Sequence, residues 1–580
     1  MTAILDDRLR GRLLRLGVLA GAIVWPLWWV LGGAGPSMMD DVRLAVAGGI
    51  TTIAPLALLL SASVDRRGGH LAAWTAALAL WPIAAPLALF ALTLEPGPEA
   101  GAMTAPWLLF TGLLALVGVQ RFGRRSFSPL ADVAIDAGLV YGLVGGIWLL
   151  AAALGRPLLG FTEPWVSLTA AHFHTAGLGL PILAGIAARA ARVHGLVTAP
   201  VLLSAIAGPI LTALGIAGWP ALELAGGLVM CVASFGTGGL LVLLAWRGAV
   251  PVLGRAPLLV AGLVPVATMA LALVYALAAW ADPTATPSLD SMVRWHGLPN
   301  AILFVAAGLG ALALSPPPSM VPPPGAPFST LRGGARIGRW FFAEIDAVVP
   351  GPDPEGTVDD MGAFARSGVD GLEDFDPASL HPAVVRSYEH TADYVLRLRA
   401  EWRFGFRTAA KLYRALVARP VGQLDLPQAG EGGMDTQLLR LRDDLDGRGP
   451  VIGWVRCHPG TDHPVYVAAY ATHRDRGVPF MNIAFPLPGL CFHSILRMDP
   501  VDGGGLRLTT RRPASGRVDD AGLWLATPIG SFRLPMHEEL TVQAVERGDD
   551  AAPISVRQHV WLLGIRFVTL EFRLTPRAPR

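Results

Sequence analysis

Histidines set inside apolar sequence are the residues here best suited to chemistry. The run Ala171-His172-Phe173-His174 places two imidazoles two residues apart. On a helix, side chains at that spacing point about 200° from each other. His172 and His174 therefore cannot hold one ion together, and at least one needs a partner on another helix. Arg294-Trp295-His296-Gly297 supplies a third ring, and Asn300 follows one turn along the same helix face. Glu223 stands near the start of a further apolar segment. Imidazoles serve as hydrogen-bond partners, proton relays and metal ligands. Ionisable groups within a membrane span mark a solute or proton path by default. We expect His172, His174, His296, Asn300 and Glu223 to form a polar pocket that binds a small solute or relays protons. The plainer use of the same groups is to glue helices together, at about 0.6 kcal/mol per contact. For Glu223 the plainer use is solvation at the membrane interface.

Membrane helices must position these residues. The 580-residue chain is 53% apolar and 16% charged, against roughly a quarter charged in soluble proteins. Residues 1–315 hold 29 of the Asp, Glu, Lys and Arg residues and 316–580 hold 61. Ten apolar stretches lie near 13–31, 44–64, 71–94, 103–120, 130–154, 165–187, 197–217, 221–246, 256–281 and 294–314. Each is long enough to cross roughly 30 Å of hydrocarbon as a helix. Arg8, Arg10, Arg12 and Arg15 lead into the first, which reads as an uncleaved signal anchor. The N-terminus and the loops on its side carry most of the arginines, whereas the opposite side carries only Arg43, Arg156 and Arg294. The positive-inside rule then puts both termini in the cytoplasm of a bacterial inner membrane. Trp165, Trp219, Trp280 and Trp295 fall at the outer ends of spans, as an aromatic belt would. The spans carrying His172, Glu223 and His296 all run from outside to inside, so their polar groups share the outer half. Asp132 and Asp136 read as a solvated helix start at the inner face. Pro55 and Pro181, among other prolines, read as kinks or breaks near a cavity.

Residues 316–331 contain seven prolines and no charge, and read as a stiff linker. Residues 332–445 are expected to form a juxtamembrane helical segment, with 383–418 its most helical part. Within it Arg403, Arg407, Lys411 and Arg414 alternate with Trp402, Phe404, Phe406 and Tyr413, a pattern suited to anionic lipid. From 446 to 580 the period changes to two, which spells an antiparallel sandwich or barrel of about eight or nine strands. The fold class is thus a polytopic helical membrane bundle followed by a cytoplasmic α+β domain. The second half is not basic as a whole, which argues against nucleic acid. Three cysteines (Cys231, Cys457, Cys491) rule out a disulfide framework. No G-x-S-x-G, glycine-rich phosphate loop or H-E-x-x-H occurs, so the chain does not read as an enzyme.

The pairing of AHFHTAGLGLPILAG (171–185) with WHGLPNAILFVAAG (295–308) resembles the YndJ-like membrane protein family, with SYEHTADYVL, GQLDLP and the terminal sheet resembling the soluble part of some members. The resemblance implies a multi-pass, transporter-like protein and names no substrate. The AHFH helix is also distantly similar to one in the core subunit of haem–copper oxidases. That likeness implies haem between His174 and His296, with His172 facing elsewhere, and hence a redox protein. The two helices occur here in reverse order, and His463-Pro464-Val465-Tyr466 lies in the soluble half. The leading expectation is a transporter of a small solute, regulated by its β-rich domain. The alternatives are a haem- or metal-binding redox protein, and a membrane-anchored sensor or scaffold.

Overall fold

The computed structural model describes residues 37–62, 72–281, 283–316, 326–349 and 379–577, less short gaps at 429, 476–477, 512–519, 529 and 546–552, and also the single positions Leu16 and Ile23. The expected first span and the arginines before it lie outside these residues. The chain divides into two compact units, Met1–Pro323 and Pro324–Arg580.

Among the described residues of the first unit, nine helices are long and apolar enough to cross a membrane. They are α1 Met38–Leu60, α2 Ala72–Ala91, α3 Pro98–Arg125, α4 Leu130–Ala153, α5 Trp165–Ala191, α6 Gly195–Ile216, α7 Ala221–Trp246, α8 Val252–Ala281 and α9 Leu289–Ala313. They correspond in order to the second to tenth expected spans. α1 and α5 are the most enclosed, whereas α2, α6 and α8 expose about two thirds of their apolar windows. Exposed side chains such as Leu263, Val266 and Leu203 are apolar, as a lipid-facing surface requires.

Asp132 and Asp136 are not the solvated helix start that the sequence suggested. They are 3% and 2% exposed and meet arginines of α3. Arg121 donates from Nε to Asp136 at 2.7 Å and from Nη2 to Asp132 at 3.1 Å. Arg125 also pairs with Asp136, and Arg189 of α5 reaches Asp132 at 3.5 Å. Charges can be buried this far only because they are paired and hydrogen-bonded, so the inner-end carboxylates tie α3, α4 and α5 together.

The second unit forms one sheet of twelve antiparallel strands. They are β1 Tyr394–Trp402, β2 Glu431–Leu441, β3 Val451–Cys457, β4 Pro464–Asp475, β5 Val478–Leu487, β6 Leu490–Val501, β7 Gly505–Thr509, β8 Gly522–Thr527, β9 Gly530–Arg533, β10 Met536–Ala544, β11 Ile554–Leu562 and β12 Ile565–Pro576. β1 pairs with β12 from Tyr394↔Pro576 to Trp402↔Val568, and β5 pairs with β6, so ten strands close on themselves. β8 and β9 form an extra hairpin on the free part of β6. A closed sheet leaves no edge on its barrel strands.

The sheet starts earlier than expected, because the 383–418 stretch is not one helix. Tyr394–Trp402 alternates strictly between buried and exposed side chains; its arginines are the outward residues of a strand. Helix is confined to α10 Pro382–Glu389, a 3-10 turn Thr391–Asp393 and α11, which runs as Phe406–Tyr413, a π turn Arg414–Ala418 and Arg419–Val421. The run 554–574 is two strands joined at Leu563-Gly564, both at positive φ, the backbone a two-residue hairpin requires. β4 is buried on both faces. Tyr466, Ala468 and Tyr470 point into the barrel, while Val467, Ala469 and Ala471 pack under Leu331, Ile337, Phe341 and Phe342 of the segment before the barrel. Beneath that segment Arg448 bridges Asp446, the Asn482 side chain and carbonyl, and the Ala469 carbonyl.

Candidate functional site

A cavity of about 460 Å³ opens among α5, α6, α7, α8 and α9 of the membrane unit, and His172, Glu223, His296 and Asn300 all line it. Four of the five expected site residues are thus brought together. The His296 Nδ1–H donates to the Thr268 carbonyl of α8 at 2.9 Å, which leaves Nε2 as the acceptor nitrogen. Asn300 sits one turn on, its Oδ1 accepting from the Thr268 hydroxyl at 2.8 Å. The His172 Nε2 is buried with no hydrogen-bond partner among the described residues. Thr212, also lining the cavity, has an unpartnered buried hydroxyl. Buried polar atoms without partners are uncommon and call for an explanation. Glu223 lines the same space beside Tyr275.

His174 is elsewhere. It is fully buried, its Nδ1–H donating to the Ala170 carbonyl at 2.7 Å and its Nε2 accepting from the Trp107 indole at 2.9 Å. It does not line the cavity that holds His172 and His296, as their opposed directions on the helix require. Both of its ring nitrogens are occupied, so these residues do not fit a haem held between His174 and His296. Among the described residues no group of three His, Cys, Asp or Glu is placed to hold a metal ion.

Residues 44–304 match the YndJ-like protein family. Over 496 residues the chain is 27% identical to a Bacillus subtilis (strain 168) protein named "Uncharacterized membrane protein YndJ", covering 85% of this chain and 87% of that one. The resemblance read from the two histidine segments is thereby supported, and the matched stretch contains His172, Glu223, His296 and Asn300. No solved structure matches the chain.

The bundle positions these side chains through irregular helix geometry. α1, α5 and α9 contain π turns at Gly49–Ile53, Phe173–Gly177, Val293–Gly297 and Asn300–Ala306. Such turns are rare and occur often at functional sites. Three of them hold the residue four before a proline: Thr51 before Pro55, Gly177 before Pro181 and Trp295 before Pro299. Proline has no N–H for that bond, and its ring crowds that carbonyl, so the turn widens. Proline alone does not force it, since Pro82, Pro86 and Pro265 lie in helices with no such turn. Segments of the three helices pack against each other, and glycine permits the approach. A Cβ at Gly49 would stand 2.8 Å from the His174 Cβ, and one at Gly145 would stand 2.9 Å from its Nδ1.

Sequence reading missed Thr268, Tyr275, Thr212 and Trp107. Hydroxyls and an indole in apolar spans carry no spacing that would single them out. Of the expected lipid-contacting residues in the second unit, Arg403, Arg407 and Lys411 are exposed. Arg414 is not free for lipid, because its Nε donates to Asp425 at 2.5 Å.

Proposed function

We propose that this YndJ-like membrane protein transports a small solute through the cavity lined by His172, His296, Asn300 and Glu223. Support comes above all from one observation: an unpartnered imidazole nitrogen of His172 and an oriented His296 line one cavity with Asn300 between helices. Imidazole acceptors, an amide and a carboxyl can bind a polar solute and pass a proton. In this reading Thr268 fixes the His296 tautomer and the Asn300 amide, and His174 holds the helix that presents His172. The arginine bias of the loops supports cytoplasmic termini, hence a site in the outer half of a bacterial inner membrane. The β barrel, on the same side as the C-terminus, regulates the bundle.

The test uses the full protein in proteoliposomes loaded with an isotope-labelled extract of bacterial small metabolites, with efflux followed by mass spectrometry. At least one component should leave faster than from protein-free vesicles, and His172→Ala with His296→Ala should abolish the difference. Identical release of every component by the native protein and the double variant would remove the transport reading. A phosphatase fused to the C-terminus should stay inactive in cells, and an active fusion would reverse the orientation.

A further inference from the structure

The barrel is not filled by its own side chains. A cavity of about 630 Å³ runs through it, within the roughly 300–1,000 Å³ of ligand pockets. Its lining is almost wholly apolar, with residues such as Leu396, Leu508, Val542 and Phe572 contributed from around the ring of strands. Arg456 and Glu538 are the only charged-type residues among those that line it.

The charged-type groups gather at one end. Arg456 is one residue from the end of β3, Tyr466 two residues into β4 and Glu538 two residues into β10. The strand directions place all three toward the end at which β1 leads into α11. α11 lines the cavity there through Phe406, Tyr413 and Val417. At the opposite end, where β6 turns into β7, α10 is tied down by the His381 N–H bond to the Gly504 carbonyl. The cavity therefore has its charged-type groups under α11, whereas Ser387, Tyr388 and Thr391 line it near α10.

Arg456 is the group the fold leaves unsatisfied. It is 6% exposed, and its guanidinium carbon lies 4.4 Å from the Trp454 ring centroid and 4.3 Å from that of Tyr466. Nη2 donates to the Tyr470 hydroxyl at 2.8 Å, and Nε has no partner among the described residues. Glu538, the one lining carboxyl, is already bonded to Ser494 and to Gln558. Burial pushes the Glu538 carboxyl up, which favours its neutral form beside an anion. A buried cation without a counter-charge is costly, and ring faces offset only part of that. A planar carboxylate matches a guanidinium fork. A doubly charged phosphate would demand more cations than this end supplies.

We propose that the barrel binds a long-chain carboxylate, with its acyl chain in the apolar interior and its carboxylate bonded by Arg456 and the Tyr470 hydroxyl beneath α11. This assignment rests on the barrel alone and stands or falls independently of solute transport.

The experiment uses the full protein in phosphatidylcholine nanodiscs with a diazirine-bearing palmitate, photolysed and mapped by peptide mass spectrometry. Adducts should fall on interior residues such as Leu508 and Val542. Palmitate should compete about tenfold or more better than hexadecanol, the fold-change of one charge-assisted hydrogen bond. Arg456→Met should erase that preference, and Tyr470→Phe should reduce it without erasing it. Should Arg456→Met fail to fold, Tyr470→Phe carries the test, and an unchanged preference there overturns the assignment. Adducts confined to the membrane helices, equal competition by palmitate and hexadecanol, or stronger competition by lysophosphatidate would overturn it as well.

Discussion

The bundle cavity and the barrel cavity satisfy their polar groups in different ways. In the bundle, two of the three rings find backbone: His296 bonds the Thr268 carbonyl and His174 the Ala170 carbonyl. A helical carbonyl already bonded along its own helix still has a second lone pair. In the barrel the backbone is taken up by strand pairing, so interior polar groups turn to side chains. Arg456 leans on Tyr470, Trp454 and Tyr466, and Glu538 on Ser494 and Gln558. A helix bundle can thus orient a lone polar residue without a partner side chain, whereas a barrel needs a cluster or a ligand. That difference explains why the bundle site draws its residues from α5, α7 and α9 and the barrel site is one patch at one end.

The contrast is broken most readily at the two neighbouring histidines. His174→Ala leaves the Trp107 indole unpaired and empties a packed site, at a cost of about 3 kcal/mol. His172→Ala removes a ring beside open space and should cost about 1 kcal/mol or less. Tryptophan fluorescence during thermal unfolding of the full protein in detergent separates them. Equal losses would make His172 a packing residue like its neighbour.

Next in size is the glycine support of His174. Gly145→Ala puts a Cβ against that ring and should destabilise the bundle by about 1–3 kcal/mol. Gly297→Ala, beside the cavity, meets nothing closer than the Met292 carbonyl at 3.8 Å, and should cost well under half of that. The same unfolding assay compares them, and a reversed order would show that the cavity wall, not the His174 socket, is the tightly packed region.

The bundle was largely legible from sequence, because a 20-residue apolar run has one solution in lipid. His172, Glu223, His296 and Asn300 stood out as polar residues where few occur. What could not be read was which of the paired histidines faces the cavity. Spacing gives their mutual angle but not the rotation of α5 against α1, α3 and α4, which Gly49, Trp107 and Gly145 decide. The barrel was legible from 450 onward and misread before it. Arginines alternating with Leu396, Leu398 and Ala400 fit either an amphipathic helix or a strand, and only pairing with β12 and β2 decides for the strand. Asp132 and Asp136 were misplaced because nothing local shows that Arg121, Arg125 and Arg189 converge on them.

The barrel has a histidine of its own, held by side chains as that unit's logic demands. His493 Nδ1–H donates to the Asn482 amide oxygen at 3.0 Å. Burial, then the charges of Arg448, Arg332 and His473, hold its ring well below the ordinary value. Below about pH 6.5 the unfolded chain binds a proton that the folded one refuses, so stability falls as pH drops through that value. The raised carboxyl of Glu538 acts oppositely: the folded state keeps its proton longer, and that contribution is lost as pH rises above the unfolded value near 4.5. Hydrogen exchange of the β5 and β6 peptides in the full protein should accelerate from pH 7 to pH 5, after correction for intrinsic rates. His493→Gln should flatten that slope. An unchanged slope would assign the acid sensitivity to other groups.

The smallest effect concerns the outer face of α11, the element that divides the barrel interior from its surroundings. Inward it presents Phe406, Tyr413 and Val417 to the cavity; Leu412, Leu416, Arg407 and Lys411 are exposed, spaced four apart in each pair so that like residues share a face. Apolar and cationic residues at that spacing suit an anionic lipid surface, where each cation near the headgroups adds about 1 kcal/mol. Being exposed, Arg407→Gln and Lys411→Gln should change barrel stability by no more than about 0.5 kcal/mol each. In nanodiscs containing phosphatidylglycerol, exchange of residues 403–419 should be slower than in pure phosphatidylcholine, by about fivefold for one effective cation. The double glutamine variant should remove that difference. If native exchange is the same in both lipids, the exposed cations do not meet headgroups, and α11 serves only the cavity beneath it.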